Sequence, residues 1–92
     1  GRVFTPNTVA RRIERAIRRA VVANGAEHRY TIRVHPRVAL HILEEEPNFL
    51  RQMEKTYRLE LDLRDDPLMR QDEFRLLAGP ADTDVTAKFA LG

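Results

Sequence analysis

The sequence predicts an α+β fold, a two-layer sandwich of a small mixed sheet of three to four strands and about three helices. The order of elements is α-β-α-α-β-β. Three observations carry that expectation. Thr5 to Gly25 repeats apolar residues at three- and four-residue steps. Tyr30 to Val34 and Leu59 to Leu63 alternate with the period of a strand. Two helical segments, each following a proline, separate those strands, so strands that are neighbours would be parallel.

The first helix, TPNTVARRIERAIRRAVVANG, opens on Thr5 as an N-cap with Pro6 at the first helical position, where its missing N–H costs nothing. Gly25 is the expected stop, in the left-handed conformation that closes a helix. Val9, Ile13, Ala16, Ile17, Ala20 and Val21 fall on one arc. Arg11, Arg12, Arg15, Arg18 and Arg19 fall on the other side.

Tyr30-Thr31-Ile32-Arg33-Val34 is the first strand, and His35-Pro36 turns the chain into a second helix ending near Glu45. Its expected buried stripe is Val38, Ala39, Ile42 and Leu43, with Arg37, His41 and Glu44 outward. Glu44-Glu45-Glu46 suits the positive start of a following helix better than the negative end of this one, which places a break at Glu46-Pro47. A third helix then runs to about Tyr57 on Phe49, Leu50, Met53 and Tyr57. Leu59, Leu61 and Leu63 make a strand with one buried face, ended by Asp65-Asp66-Pro67. Glu73 to Ala78 is a third strand, antiparallel to the second, and Gly79-Pro80 ends it. The chain divides into a small α/β domain over 1–78 and a segment over 79–92. In that segment Val85, Ala87, Phe89 and Leu91 alternate as an edge strand would, or belong to a mobile arm that docks on a partner.

Ninety-two residues, 42% hydrophobic and 33% charged, make one small domain with a thin core. No apolar run approaches the roughly 20 residues of a membrane span, and no signal peptide opens the chain. A start at Gly1-Arg2 reads as a cut piece or a processed product. The absence of cysteine excludes disulfides and thiolate metal sites and fits a reducing compartment, so the expected location is cytoplasmic. The net charge of +2 hides an asymmetry: residues 1–29 carry seven basic against two acidic side chains, and residues 30–92 nine against twelve. A basic helix on an acidic body suits nucleic acid or the acidic surface of a neighbouring copy.

The arginine face is therefore the candidate site. Arg11, Arg12, Arg15, Arg18 and Arg19 can fork onto phosphates of an RNA strand or onto acidic side chains of a partner. The competing reading is a solvated face with pairs such as Arg11–Glu14 and Glu14–Arg18. His28, His35 and His41 match no zinc spacing. Adjacent carboxylates on one helix diverge by about 100° and converge poorly on Mg²⁺. No glycine loop cradles phosphate, and serine is absent, so no catalytic residue and no cofactor are expected in this chain. Aromatic residues that would stack on bases are few: Tyr30 and Phe74 stand at strand positions and Tyr57 ends a helix, and no stacking platform of a single-strand RNA module is evident.

Over residues 1–78 the chain resembles the C-terminal small domain of the ribonuclease E/ribonuclease G family of endoribonucleases. The resemblance runs through Gly1-Arg2-Val3, TPNTVARRIERAIRRA, YTIRVHPRVALHILEEE, FLRQMEKTY, LELDL and DDPLMRQDEFRLL, in that order. It implies a non-catalytic domain that builds the oligomer and helps shape a surface around structured RNA, in the service of RNA processing and decay. RNA and a second copy of the chain are the implied partners. The family's Mg²⁺-binding aspartates and its S1 domain lie in earlier segments, and a cysteine-pair zinc link precedes this one, so both metals are expected outside this chain. The family often has Gly between the third helix and the next strand, where this chain has Tyr57-Arg58. The alternative is a free-standing protein-interaction module without RNA binding, assembled through a sheet edge and apolar contacts such as Phe89 and Leu91.

Overall fold

In the computed structural model, which describes residues 5–90, helix α1 (Pro6–Ala23) buries the stripe that its spacing marks. Val9, Ala10, Ile13, Ala16, Ile17 and Ala20 are fully enclosed, and Val21 sits half-buried at the rim. The Thr5 hydroxyl accepts the Thr8 N–H at 3.2 Å, satisfying one of the orphan donors of the first turn. The stop differs from expectation. Asn24 is the cap, donating its N–H to the Ala20 carbonyl at 2.8 Å, and Gly25 is not left-handed. The helix ends on its own bond pattern, so no left-handed glycine is needed.

Strand β1 (Arg29–Val34) is central in a four-stranded sheet of order β2-β1-β3-β4. Its partners are β2 (Glu60–Asp65), β3 (Phe74–Ala78) and the two-residue β4 (Thr83–Asp84). β1 and β2 are parallel, joined through α2 (Pro36–Glu45) and α3 (Phe49–Tyr57), with Ile32 opposite Leu63. β3 runs antiparallel to β1, with Ile32 opposite Leu76. The third strand thus opposes the second in direction without pairing to it, because β1 lies between them. The burial patterns agree with those places: β3 is enclosed at Phe74, Leu76, Leu77 and Ala78, whereas Leu61 and Leu63 of the edge strand β2 are half-buried.

Tyr30, Ile32, Val34, Phe74, Leu76 and Ala78 join the inner faces of α1 and α2 in one core. The helices therefore cover one face of the sheet; on the opposite face the arginines are exposed, while Thr31 and Leu77 are buried. The Tyr30 hydroxyl is buried with no hydrogen-bond partner among the described residues; burial, helped by Glu27, raises its pKa above 10.0.

The His35-Pro36 turn opens α2 as its residues suggest: the His35 ring accepts the Arg37 N–H at 3.0 Å. The break at Glu46-Pro47 is present, with α3 starting at Phe49. On α2 the buried arc is narrower than expected. Val38, Ala39 and Ile42 are buried, but Leu43 is 62% exposed and lies beside Leu40, 57% exposed. His41, expected outward, is half-buried and meets Glu46 at 2.9 Å. The exposed rim reflects a helix that has only α1 on one side and the sheet edge on the other to pack against.

The segment after β3 is neither a full edge strand nor a detached arm. Gly79 turns the chain with φ 72°, Thr83–Asp84 pair briefly with β3, and Thr86–Phe89 form a helical turn, α4. α4 returns to α1 and β3, Val85 is buried, and Phe89 packs against the core of its own domain. The Thr86 hydroxyl accepts the Leu76 N–H at 2.7 Å inside the protein, which fastens the segment to β3. Gly1-Arg2-Val3 and Leu91 lie outside the described residues.

Candidate nucleic-acid interface

The five arginines of α1 divide three ways. Arg11 and Arg18 lean toward α3, Arg12 and Arg19 lean toward β3 and α4, and Arg15 stands on the crest. The Arg11 guanidinium binds Glu46, pairs with Glu14 at 3.5 Å, and lies 5.1 Å from the centroid of the Phe49 ring. Glu46 uses its other oxygen for His41, so one carboxylate ties α1 to the end of α2. Arg12 donates to the Asp72 carbonyl at 2.9 Å and covers the Phe74 ring at 5.6 Å. Arg18 donates to the Tyr57 hydroxyl at 3.2 Å and approaches Glu14 to 3.8 Å, and Arg19 donates to the Phe89 carbonyl at 3.0 Å. Arg15 is exposed and makes no hydrogen bond or ion pair with any described residue.

Both intrahelical pairs foreseen from spacing are present, but the larger effect is long-range. Arg11 and Arg12 are half-buried and serve as straps from α1 to the rest of the domain. Each strap combines a hydrogen bond or ion pair with cation–π contact, interactions of about 0.5–1 kcal/mol apiece at such sites. A groove of about 510 Å³ runs between α1 and α3, with Arg11, Glu46, Phe49 and Tyr57 in its wall. Arg15, Arg18 and Arg19 keep exposed surface for a ligand.

The other polar groups fall into structural roles. Glu44 and Glu45 are exposed, and Asp66 accepts the Leu68 N–H at 2.9 Å to close a turn. No three His, Asp or Glu side chains among the described residues converge as metal ligands. Tyr30 and Phe74 are buried, and Tyr57 is half-buried against Arg18, so none offers a free ring face to a base.

A second group of arginines lies on the other face of the sheet, gathered from three strands that no local spacing connects. Strand alternation puts Arg29, Thr31 and Arg33 of β1 on that face, and the register adds Glu60, Asp62 and Arg64 of β2 and Arg75 and Leu77 of β3. Arg29, Arg33, Arg64 and Arg75 are exposed. The parity of the buried residues in YTIRV would have found Arg33. Its neighbours on other strands needed the register. Asp84 lies on the same face, and its carboxyl is held below the usual 3.8, first by hydrogen bonds from Thr86 and then by Arg75 and Arg33.

Comparison with protein-family models, with curated proteins and with solved structures gives no significant match to this chain.

Proposed function

We propose that this chain is the non-catalytic small domain of a ribonuclease E/G-type endoribonuclease, supporting RNA processing and decay by self-assembly and by RNA contact. On this reading the Mg²⁺-dependent cleavage chemistry belongs to a nuclease domain elsewhere in the parent enzyme, which acts in the cytoplasm. What carries the family reading is the ordered resemblance over residues 1–78, and one observation is compatible with it where the chain departs from the family, at Arg58. Arg58 ends α3 in the left-handed conformation, φ 56° and ψ 54°, at the place where the resembling family often has glycine. A side chain there costs about 1 kcal/mol, so Arg58→Gly is expected to raise stability by up to that amount in urea unfolding. A loss of stability would remove this support.

Assembly is the role the surface of α2 favours, and the occupant it suits is a second copy. Leu40 and Leu43 are exposed between Arg37 and Glu44, which lie two turns apart, about 10 Å along the axis. Two such helices packed antiparallel about a two-fold axis bring each Arg37 to the partner's Glu44 and close the leucines together. Sedimentation should show self-association that Leu40→Glu with Leu43→Glu abolishes. A protein that stays monomeric at all concentrations, or a variant that still associates, would sink the assembly role.

The same leucines favour the second reading, a protein-interaction module without RNA binding. It predicts association that salt does not weaken and no RNA binding at low salt. For the RNA role, Arg15, Arg18 and Arg19 are the members of the α1 set with exposed side chains. Replacing all three by Ala should weaken RNA binding and flatten its salt dependence.

A further inference from the structure

We infer that the face of the sheet away from the helices is a second RNA site, binding the phosphates and ribose hydroxyls of a single strand across β2, β1 and β3. This inference rests on the ribonuclease-type reading above for its ligand, but on different residues. In the sheet register Arg33 lies opposite Arg64 on one side and opposite Arg75 on the other. Strands are about 4.8 Å apart, so three guanidinium side chains rise from one cross-strand row. Like charges directly opposite one another destabilise a sheet. A row of three is a cost to the fold that a bound polyanion offsets.

The row is neutralised in part from within, and Asp84 on the same face interacts with both Arg33 and Arg75. Arg64 pairs with Asp62 at 2.7 Å and Arg75 approaches Glu73 at 3.7 Å. Arg33, the middle member, makes no close hydrogen bond or ion pair with any described residue, and acts at longer range on the Asp84 carboxyl. Beside it lies a depression of about 390 Å³ that sets three arginines, Arg29, Arg33 and Arg64, among three carboxylates, Asp62, Asp65 and Asp82. This volume falls in the range of small-ligand sites, and its lining is mostly polar, which suits a charged strand better than an apolar protein surface.

The mixture of groups narrows the ligand. Guanidinium forks match phosphate oxygens with two parallel hydrogen bonds. Carboxylates would repel a ligand that offered phosphate alone, but Asp62, which takes the Arg64 N–H, and Asp82, which takes the hydroxyl of the buried Thr31 at 3.5 Å, each keep a second oxygen that accepts hydrogen bonds. A strand that carries a hydroxyl donor next to each phosphate satisfies both kinds of group, and that donor is the 2′-OH that separates RNA from DNA. The site lacks an exposed aromatic ring, so it reads backbone rather than base.

The test is fluorescence anisotropy of a labelled ten-nucleotide oligouridylate and of its deoxy counterpart, across a salt series. The proteins are the full chain, a sheet variant (Arg33→Ala, Arg64→Ala, Arg75→Ala), the same three positions changed to Lys, and an α1 variant (Arg15→Ala, Arg18→Ala). Circular dichroism checks that each is folded. The expected result is RNA preferred over DNA, with affinity lowered about tenfold or more in the alanine sheet variant. The salt slope should flatten by about 2, from three lost phosphate contacts on a single strand. The lysine variant should keep the slope and lose part of the affinity, because charge remains and the fork does not. An alanine sheet variant that binds as the parent does, while the α1 variant fails, overturns the inference and leaves the RNA role with α1. No RNA binding by the parent protein overturns it too, and sedimentation then decides separately whether the assembly role stands. A sheet variant that loses self-association instead of RNA would make the face an interface between copies.

Discussion

On α1, Arg11 is held by Glu46 and Glu14, and Arg12 by the Asp72 carbonyl and the Phe74 ring. On the outer face of the sheet, Arg33 stands between Arg64 and Arg75 without a bond to any described residue. The first group is conspicuous in the sequence because its members are close neighbours on one helix. The second is dispersed over three strands and is assembled by pairing. The contrast teaches that charge clustered along a chain is readily absorbed by the protein's own carbonyls, carboxylates and rings. Charge gathered by tertiary structure is met by carboxylates too, Arg64 by Asp62 and Arg75 by Glu73, but Arg33 at its centre has only the longer-range charge of Asp84.

Several substitutions sharpen or break that contrast, beginning with what anchors α1. Ile17 is fully buried on its inner face, and Ile17→Ala should cost about 2–5 kcal/mol of unfolding free energy. A loss well under that range would mean that the straps rather than the stripe hold the helix. Next in size is Thr86→Val, which removes the acceptor of the Leu76 N–H and leaves a buried donor unpaired, at about 1–3 kcal/mol. Hydrogen exchange at Leu76 should quicken in that variant before global unfolding does.

The direct comparison uses matched arginines and opposite expected signs. Arg11→Met should destabilise by about 1 kcal/mol, since it releases Glu46 and Glu14, while Arg15→Met should change stability by less than about 0.5 kcal/mol. Arg33→Thr should instead stabilise, by about 0.2–1 kcal/mol at low salt, because relief from Arg64 and Arg75 directly opposite exceeds the longer-range attraction to Asp84 that is lost, with the gain fading as salt is added. If Arg33→Thr proves destabilising, the row is a structural ladder and the contrast collapses. The smallest effect is at Asp84. Its folded pKa lies below 3.8, so its contribution is present at neutral pH and is lost as pH falls below that value through the depressed folded pKa. Asp84→Asn should therefore flatten the acid arm of the stability curve and leave its shape at higher pH unchanged.

Much of the architecture was legible because it is written in short-range signals. Thr5-Pro6 and His35-Pro36 mark helix starts through bonds spanning two or three residues, and both caps are present. The Glu46-Pro47 break follows from proline and the helix dipole acting over one turn. Leu43 was misplaced because its spacing fits a broad apolar stripe, whereas the arc α2 buries against α1 and the sheet is narrower. The segment after Ala78 is legible only in part for a related reason: Val85, Ala87, Phe89 and Leu91 alternate like a strand, yet the edge strand is Thr83–Asp84, and Val85 and Phe89 reach the core from the cap and the end of a helical turn.

By itself the sequence determined the type and order of the elements through α1, β1, α2, α3, β2 and β3, and the inner stripe of α1. Backbone period sets which way a side chain faces relative to its near neighbours, and that is a property of a few consecutive residues. Only the tertiary structure decided that β1 is central, that Glu46 is a strap for Arg11 and His41, and that Arg64, Arg33 and Arg75 share a row. Those outcomes depend on which distant surfaces meet. That choice is made by burying the whole apolar surface of the domain at once, and no local spacing records it.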